Sequence, residues 1–177
     1  MKPIVIYTSK YGSTEKYAGW IARALNCPSE RLNNISTQEL AAYDTVIYGG
    51  GVYGGKIAGL KKFFAKQGKT DHQKLVLFMV GMTNPGDRDF YDRVTAENLP
   101  EEQKGHVQAF SLHGDQLYTQ MSGVNKLIMR AIKAAAEKKP LAERTAEDKA
   151  MIEGFGSDII FSSRDQIEPI VKYVKQA

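Results

Sequence analysis

The stretch KLVLFMVG, residues 74 to 81, is a nearly continuous apolar run. A strand with one wet face alternates apolar and polar residues, so a run without alternation must be covered on both faces. Helices on both sides of a parallel sheet give that cover. The rest of the chain supplies matching parts. PIVIYT (3–8) and YDTVIYG (43–49) are short β-branched runs, a weak strand falls in RLNNIS (31–36), and HVQAFSLHG (106–114) is a fifth strand. In STEKYAGWIARAL (13–25), Tyr17, Trp20, Ile21 and Leu25 share one helical face, and Ser13 or Thr14 can cap it. LKKFFAKQ (60–67) is a second helix. FYDRVTAENL (90–99) belongs to a polar stretch between the last two strands. DQIEPIVKYVKQ (165–176) is a final helix, with Pro169 placed to bend it. Strands alternating with helices predict a parallel, doubly wound α/β sheet, which binds ligands beyond the carboxyl ends of its strands.

The chain of 177 residues suits one domain with a buried core. The single cysteine, Cys27, excludes an internal disulfide and a multi-cysteine metal site, and it fits a reducing cytosol. No apolar run approaches the roughly 18 residues of a membrane-spanning helix. The amino end carries one lysine and then strand-like residues, with no small-residue cleavage site, so no signal peptide is expected. A cytoplasmic location follows. The net charge of +4 is modest and reads as spread out, so nucleic acid is not an expected partner.

GGGVYGGKIAG (49–59) holds six glycines in eleven positions and fits several motifs by spacing. Gly49, Gly51 and Gly54 match the dinucleotide fingerprint, but the acidic residue at about the right distance, Asp71, precedes the next strand instead of ending it. Gly50 to Lys56 matches a triphosphate loop, but Ile57 stands where a Ser or Thr must hold magnesium. A plain tight turn does not need so many glycines.

A third reading joins this loop to YTSKYGST (7–14), where hydroxyls and a glycine lie between the first strand and the first helix. Backbone N–H groups at a helix N-terminus form an anion site. YTSKYGST resembles the phosphate loop of flavodoxins: Ser9, Gly12 and Thr14 match its pattern, and Tyr11 replaces its middle threonine. GGGVYGG resembles the second flavin loop, and VGMTNPGD (80–87) falls where the third belongs. The resemblance implies a flavodoxin-like five-stranded sheet in order 2-1-3-4-5, forming a single domain over residues 1–177. It also implies FMN as cofactor. Ser9, Lys10, Tyr11, Gly12, Ser13 and Thr14 would hold the phosphate, and Gly51, Val52, Tyr53, Gly54, Gly55, Met82, Thr83 and Asn84 would flank the ring. Tyr53 would stack on the ring, and the Gly54–Gly55 peptide would turn toward N5. Gly55 and Lys56 stand where many flavodoxins place an acidic residue, which implies a less negative potential. The third loop lacks the usual outer tyrosine, so one flavin face is open unless Phe90, Tyr91 or the insertion covers it.

A helical insertion is expected at about 115–162, between the fifth strand and the last helix. GVNKLIMRAIKAAAEKK (123–139) places Val124, Leu127, Ile128, Ala131, Ile132 and Ala135 in one stripe and Lys126, Arg130, Lys133, Lys138 and Lys139 on the other side. Such a helix can contact the inner face of an anionic membrane. The thin, alanine-rich stripe argues instead for packing on the domain's own core.

The phosphate loop, the tyrosine-glycine second loop, the strand AFSLHGDQLY and the basic helix NKLIMRAIK resemble the flavodoxin-domain family that includes menaquinone-dependent protoporphyrinogen oxidase. The chain departs from it in DQLYTQMSGV (115–124), where that oxidase carries several aromatics and arginines and only Tyr118 remains. The resemblance implies an FMN oxidoreductase acting on a quinone or porphyrinogen-like substrate. The competing expectation is an electron carrier that docks to protein partners, although carriers of this kind are typically acidic. No general acid or base stands out: His72, His106 and His113 are expected to be structural or solvent-facing.

Overall fold

The computed structural model describes residues 1–67 and 73–176. Asp71 and His72 lie outside the described residues. The chain divides into two compact units, one of Met1–Gly114 resumed at Ser162, the other of Asp115–Phe161.

In the first unit, strands β1 (Pro3–Thr8), β2 (Ser29–Arg31), β3 (Thr45–Tyr53), β4 (Lys56–Ile57), β5 (Lys74–Gly81) and β6 (Val107–His113) are accompanied by helices α1 (Ser13–Leu25), α2 (Thr37–Leu40), α3 (Leu60–Gln67) and α4 (Arg88–Asn98). The main path of the sheet runs β2-β1-β3-β5-β6, all parallel, and β4 adds an antiparallel ribbon to the end of β3. Counting only the parallel strands, this is the expected order 2-1-3-4-5.

The apolar run of β5 shows why both faces are covered. Leu75, Leu77 and Met79 join a core with Ile4, Ile6, Val46 and Tyr48, under Phe63 of α3 and Tyr91 and Val94 of α4. Val76, Phe78 and Val80 point the other way, into a second core with Val5 and Ile47, under Tyr17 and Ile21 of α1. The last helix, α7 (Glu168–Lys175), closes that second core with Ile170 and Val174.

Four local expectations need correction. The glycine run does not begin as a loop, because β3 continues through Gly49, Gly50 and Gly51. The cause is tertiary: a Cβ on Gly49 would run into the ring of Phe78 on the neighbouring strand. The polar stretch 90–99 is largely helical. Asp87 caps α4 by accepting a hydrogen bond from the Phe90 N–H at 3.0 Å, and only Tyr91 and Val94 are buried, which leaves too short a stripe to mark a helix. The weak strand lies earlier than RLNNIS; residues 32–34 turn, and Ser36 caps α2. Pro169 does not bend a long helix. It sits in the first turn of α7, where its missing N–H is no loss.

The second unit pairs β7 (Gln116–Leu117) antiparallel with β8 (Asp158–Ile159) and packs α5 (Gly123–Lys138) on α6 (Ala146–Glu153). Asp158 accepts from the Thr119 N–H at 2.9 Å and from its hydroxyl at 2.8 Å, and these bonds hold its carboxyl below the usual carboxylate range. Val124, Leu127, Ile128 and Ile132 are exposed, and the buried side chains of the helix are Met129 and Ala136. No helix among the described residues is long and apolar enough to cross a membrane.

The close approach at Gly49 gives a direct test. Gly49→Ala should destabilise the protein by about 1–3 kcal/mol through overpacking, and Phe78→Leu in the same chain should recover part of the loss. Urea denaturation of the three variants against the parent measures both effects.

Candidate functional site

The parallel register lines up three turns at one edge of the sheet. Thr8 is paired with Gly50, and Gly50 with Met79, so the turns after β1, β3 and β5 leave side by side. The chain reverses its winding between β1 and β3, which is where doubly wound sheets bind their ligands.

The first turn ends at Gly12, whose φ of 95° lies in the left-handed region open to glycine. Gly12 is the N-cap of α1, and no side chain caps the helix there. Ser13 and Thr14, expected as caps, are the first residues inside the helix and are buried. The left-handed turn at Gly12 causes this shift, because it swings the chain into the helix one residue early. The Ser9 hydroxyl accepts from the Gly12 N–H at 3.1 Å and thereby shapes the loop. Its own proton remains available to donate. A helix N-terminus without a side-chain cap, with Ser9 in the turn and Ser13 and Thr14 in the first helical positions, is a candidate site for an anion.

Lys10 and Tyr11 face the second turn. The Lys10 ammonium lies 5.0 Å from the centre of the Tyr11 ring and 5.9 Å from that of Tyr53. The two rings meet edge-on at 6.1 Å. Tyr53 is 39% exposed, yet its hydroxyl end rests over Gly51. Burial of that end, then the proximity of Tyr11, pushes its phenol up to about 12.

The second turn is a tight hairpin. Gly54 and Gly55 have φ of 55° and 74°, the doubly left-handed pair that a two-residue turn of this hand demands, and Tyr53 is paired with Lys56 across it. A hairpin here removes both rival readings of the glycine run. Neither the dinucleotide fingerprint nor the triphosphate loop places a β-ribbon between its strand and its helix, and α3 begins only at Leu60.

The hairpin is clamped by a residue that the sequence does not mark. The Asn98 side-chain amide donates to the Gly55 carbonyl at 2.7 Å and accepts from the Ile57 N–H at 3.2 Å. This engages the Gly55 carbonyl and ties the hairpin to α4. Its partners are 41 and 43 residues away, so no local signal could have found Asn98.

The third turn begins at Gly81, which is buried against the Tyr91 hydroxyl. Met82 is 37% exposed, Thr83 is half-buried and Asn84 is exposed. The turn is held from behind. Tyr91 donates to the Thr83 carbonyl at 2.8 Å, Ser111 donates to the Pro85 carbonyl at 2.9 Å, and His113 Nε2 lies 3.2 Å from the Met82 carbonyl. Asn84 closes its own turn by accepting from the Gly86 N–H at 2.8 Å. Tyr91 is buried and Phe90 packs on the same core, so neither ring lies over the outer side of the turn. Of the histidines expected to be structural or solvent-facing, His106 is exposed and His113 supports this turn. Val52, next to the hairpin, is half-buried against the first core. Among the described residues no group of three or more His, Cys, Asp or Glu could hold a metal ion.

A doubly wound sheet with hydroxyls and bare helix N–H groups after its first strand and a glycine hairpin after its central one belongs to the class that binds a phosphate-bearing cofactor. A family model described as a flavodoxin domain matches residues 4–142, and the chain belongs to the flavodoxin family. FMN is the cofactor of that family and of this chain. Among solved structures, the chain is similar to oxidised flavodoxin 2 from Bacillus cereus at 21% identity, covering 64% of this chain and 86% of that one, with a TM-score of 0.43. It is also similar to two-electron reduced flavodoxin from Megasphaera elsdenii, at 19% identity over 62% and 84% of the chains and a TM-score of 0.44. A flavodoxin from the domain Archaea matches at 16% identity over 63% and 83%, with a TM-score of 0.43. No curated protein matches the chain significantly.

The bare N-terminus of α1, the Ser9 and Thr14 hydroxyls and the left-handed glycine pair fit such a cofactor, and two outcomes are expected. Ser9→Ala with Thr14→Ala removes two donors to a charged phosphate, each worth roughly 1.5–3 kcal/mol. Titration of apo-protein should show FMN affinity weakened tenfold or more. Asn98→Ala should leave the phosphate loop intact but loosen the hairpin. A loss of about 1–2 kcal/mol of stability is expected in denaturant, with a shift in flavin reduction potential that the Ser9/Thr14 variant does not share.

Proposed function

We propose that this chain is an FMN-dependent oxidoreductase whose flavin exchanges electrons with a small quinone-like acceptor. FMN supplies one- and two-electron transfer when bound. The loop Ser9–Thr14 would hold its phosphate, and Gly51, Val52, Tyr53, Gly54, Gly55, Met82, Thr83 and Asn84 would flank the ring. The observation that carries the reading is the third turn, where exposed Met82 replaces an aromatic cover and the nearby Tyr91 is buried with its hydroxyl turned to the Thr83 carbonyl. An open, apolar approach of this kind suits a flat hydrophobic acceptor.

Charge supports the same reading. Lys56 is exposed at the hairpin, directly after Gly55, and the segment 51–57 contains no carboxylate. A cation beside the reduced, negatively charged flavin raises its potential. The resemblance to the menaquinone-dependent protoporphyrinogen oxidase family points to a quinone as electron acceptor and a porphyrinogen as donor. DQLYTQMSGV carries no arginine to meet a porphyrin's carboxylates, Thr119 is bonded to Asp158, and Tyr118 packs edge-on against Phe155 at 5.2 Å. These features favour the quinone over the porphyrinogen. A reducing, cytoplasmic compartment suits the free thiol of Cys27.

The test is the oxidation of the anaerobically reduced protein by a short-chain naphthoquinone in stopped flow. A rate that saturates with quinone and exceeds that of free reduced FMN is expected. A rate equal to that of free reduced FMN would assign the chain to electron carriers that dock to protein partners. Lys56→Glu should lower the potential of the semiquinone/hydroquinone couple by tens of millivolts, on the order of 40 mV or more, and change the oxidation rate. Equal potentials in potentiometric titration would place Lys56 outside the field of the flavin.

A further inference from the structure

We infer that Tyr7 and Arg31 are positioning residues for FMN: they hold the Glu15 carboxylate away from the anion loop at the start of α1 and so leave that loop to the phosphate. The inference rests on the reading that residues 9–14 hold the phosphate.

Glu15 is the third residue of α1 after its N-cap, Gly12. An acidic side chain at that position commonly folds back onto the N-cap N–H, the second half of a capping box. Two other helices of this chain show it. In α2 the Glu39 carboxylate accepts from the Ser36 N–H at 2.8 Å. In α6 the Asp148 carboxylate accepts from the Thr145 N–H at 2.9 Å. In α1 the arrangement differs. The Gly12 N–H donates to the Ser9 hydroxyl at 3.1 Å, and Glu15 is held elsewhere. One of its oxygens accepts from the Tyr7 hydroxyl at 2.8 Å, and the other meets the Arg31 guanidinium at 2.5 Å. Arg31 also lies 5.4 Å from the centre of the Tyr7 ring. Tyr7 on β1 and Arg31 at the end of β2 are register partners, so the sheet itself sets the two groups that restrain Glu15.

Tyr7 is buried, whereas the side chains of Arg31 and Glu15 are 47% and 44% exposed. An ion pair this exposed contributes little to stability. Its effect falls on the neighbouring loop. A carboxylate in the first helical turn competes with a bound phosphate for the positive end of the helix. One turn is about 5 Å long, within the roughly 8 Å over which charges act in physiological salt. A released Glu15 would repel the phosphate and could take the Gly12 N–H. Paired with Arg31 and bonded to Tyr7, it has its charge balanced and its oxygens turned to other partners. A flavin without a phosphate gains nothing from this restraint.

The test is fluorescence titration of the full-length apo-protein with FMN and with riboflavin, the same flavin lacking the phosphate. Arg31→Gln should weaken FMN affinity about fivefold or more and leave riboflavin affinity within about twofold of the parent. Adding Tyr7→Phe should deepen the loss of FMN affinity to about tenfold or more. Glu15→Gln alone should bind FMN at least as tightly as the parent. Glu15→Gln combined with Arg31→Gln should return FMN affinity to within about twofold of the parent, because no carboxylate is left to restrain. Circular dichroism checks that each variant is folded. Unchanged FMN affinity in Arg31→Gln would overturn the inference. An equal loss for FMN and riboflavin would do so too, by making Arg31 a structural residue. So would a combined variant that fails to recover, by placing Arg31 on the phosphate itself. Ser9→Ala with Thr14→Ala separates this inference from the phosphate reading. If that variant loses FMN affinity while Arg31→Gln does not, the loop holds the phosphate and only the role of Arg31 fails. Full FMN affinity in the Ser9/Thr14 variant would overturn both.

Discussion

Three parallel strands in one register carry the rest of the first unit. β3 lies between β1 and β5, and Thr45 to Gly50 are paired with both. Because the ladder is parallel, each connection must cross the sheet and return, and the crossovers cover both faces with helices. The alternation inside β5 then divides its side chains between two cores. The same geometry ends the three strands at one edge, so turns that are far apart in the chain become neighbours. Gly49 shows how tight this arrangement is, since the adjacent Phe78 ring occupies the place of its missing side chain.

The site at that edge is mostly backbone. The first turn offers amide groups and the hydroxyls of Ser9 and Thr14, the second a left-handed glycine pair, and the third a methionine and two polar residues. Such a surface binds and tunes a cofactor that brings its own chemistry, and it needs no acid–base pair. The side chains that matter work from behind. Asn98 grips the hairpin, while Tyr91, Ser111 and His113 hold the carbonyls of the third turn. Lys10 joins the first two turns by lying near both Tyr11 and Tyr53.

The second unit has an internal logic of its own. A two-stranded ribbon is pinned by Asp158 on Thr119, α5 packs on α6, and the buried side chains of α5 are Met129 and Ala136. Two of its lysines lie over aromatic rings within the unit. Arg130 and Lys138 remain exposed on the same helix.

The sequence by itself determined the class of fold and marked a candidate phosphate loop. An unbroken apolar strand requires cover on both faces, and hydroxyls with glycine between a strand and a helix mark a candidate anion loop. Those are local demands of backbone chemistry, so they are legible in Tyr7–Thr14 and Lys74–Gly81. Tertiary structure decided the rest. Gly49 to Gly51 are strand residues because of Phe78 and β4, which a local reading cannot see. α4 forms although its apolar stripe is short, because the crossover from β5 to β6 needs a helix and Asp87 starts one. Asn98 matters only because folding brings it to Gly55. The outward face of α5 could not be read from its stripe, because periodicity shows that a helix has two faces but only packing decides which one meets water.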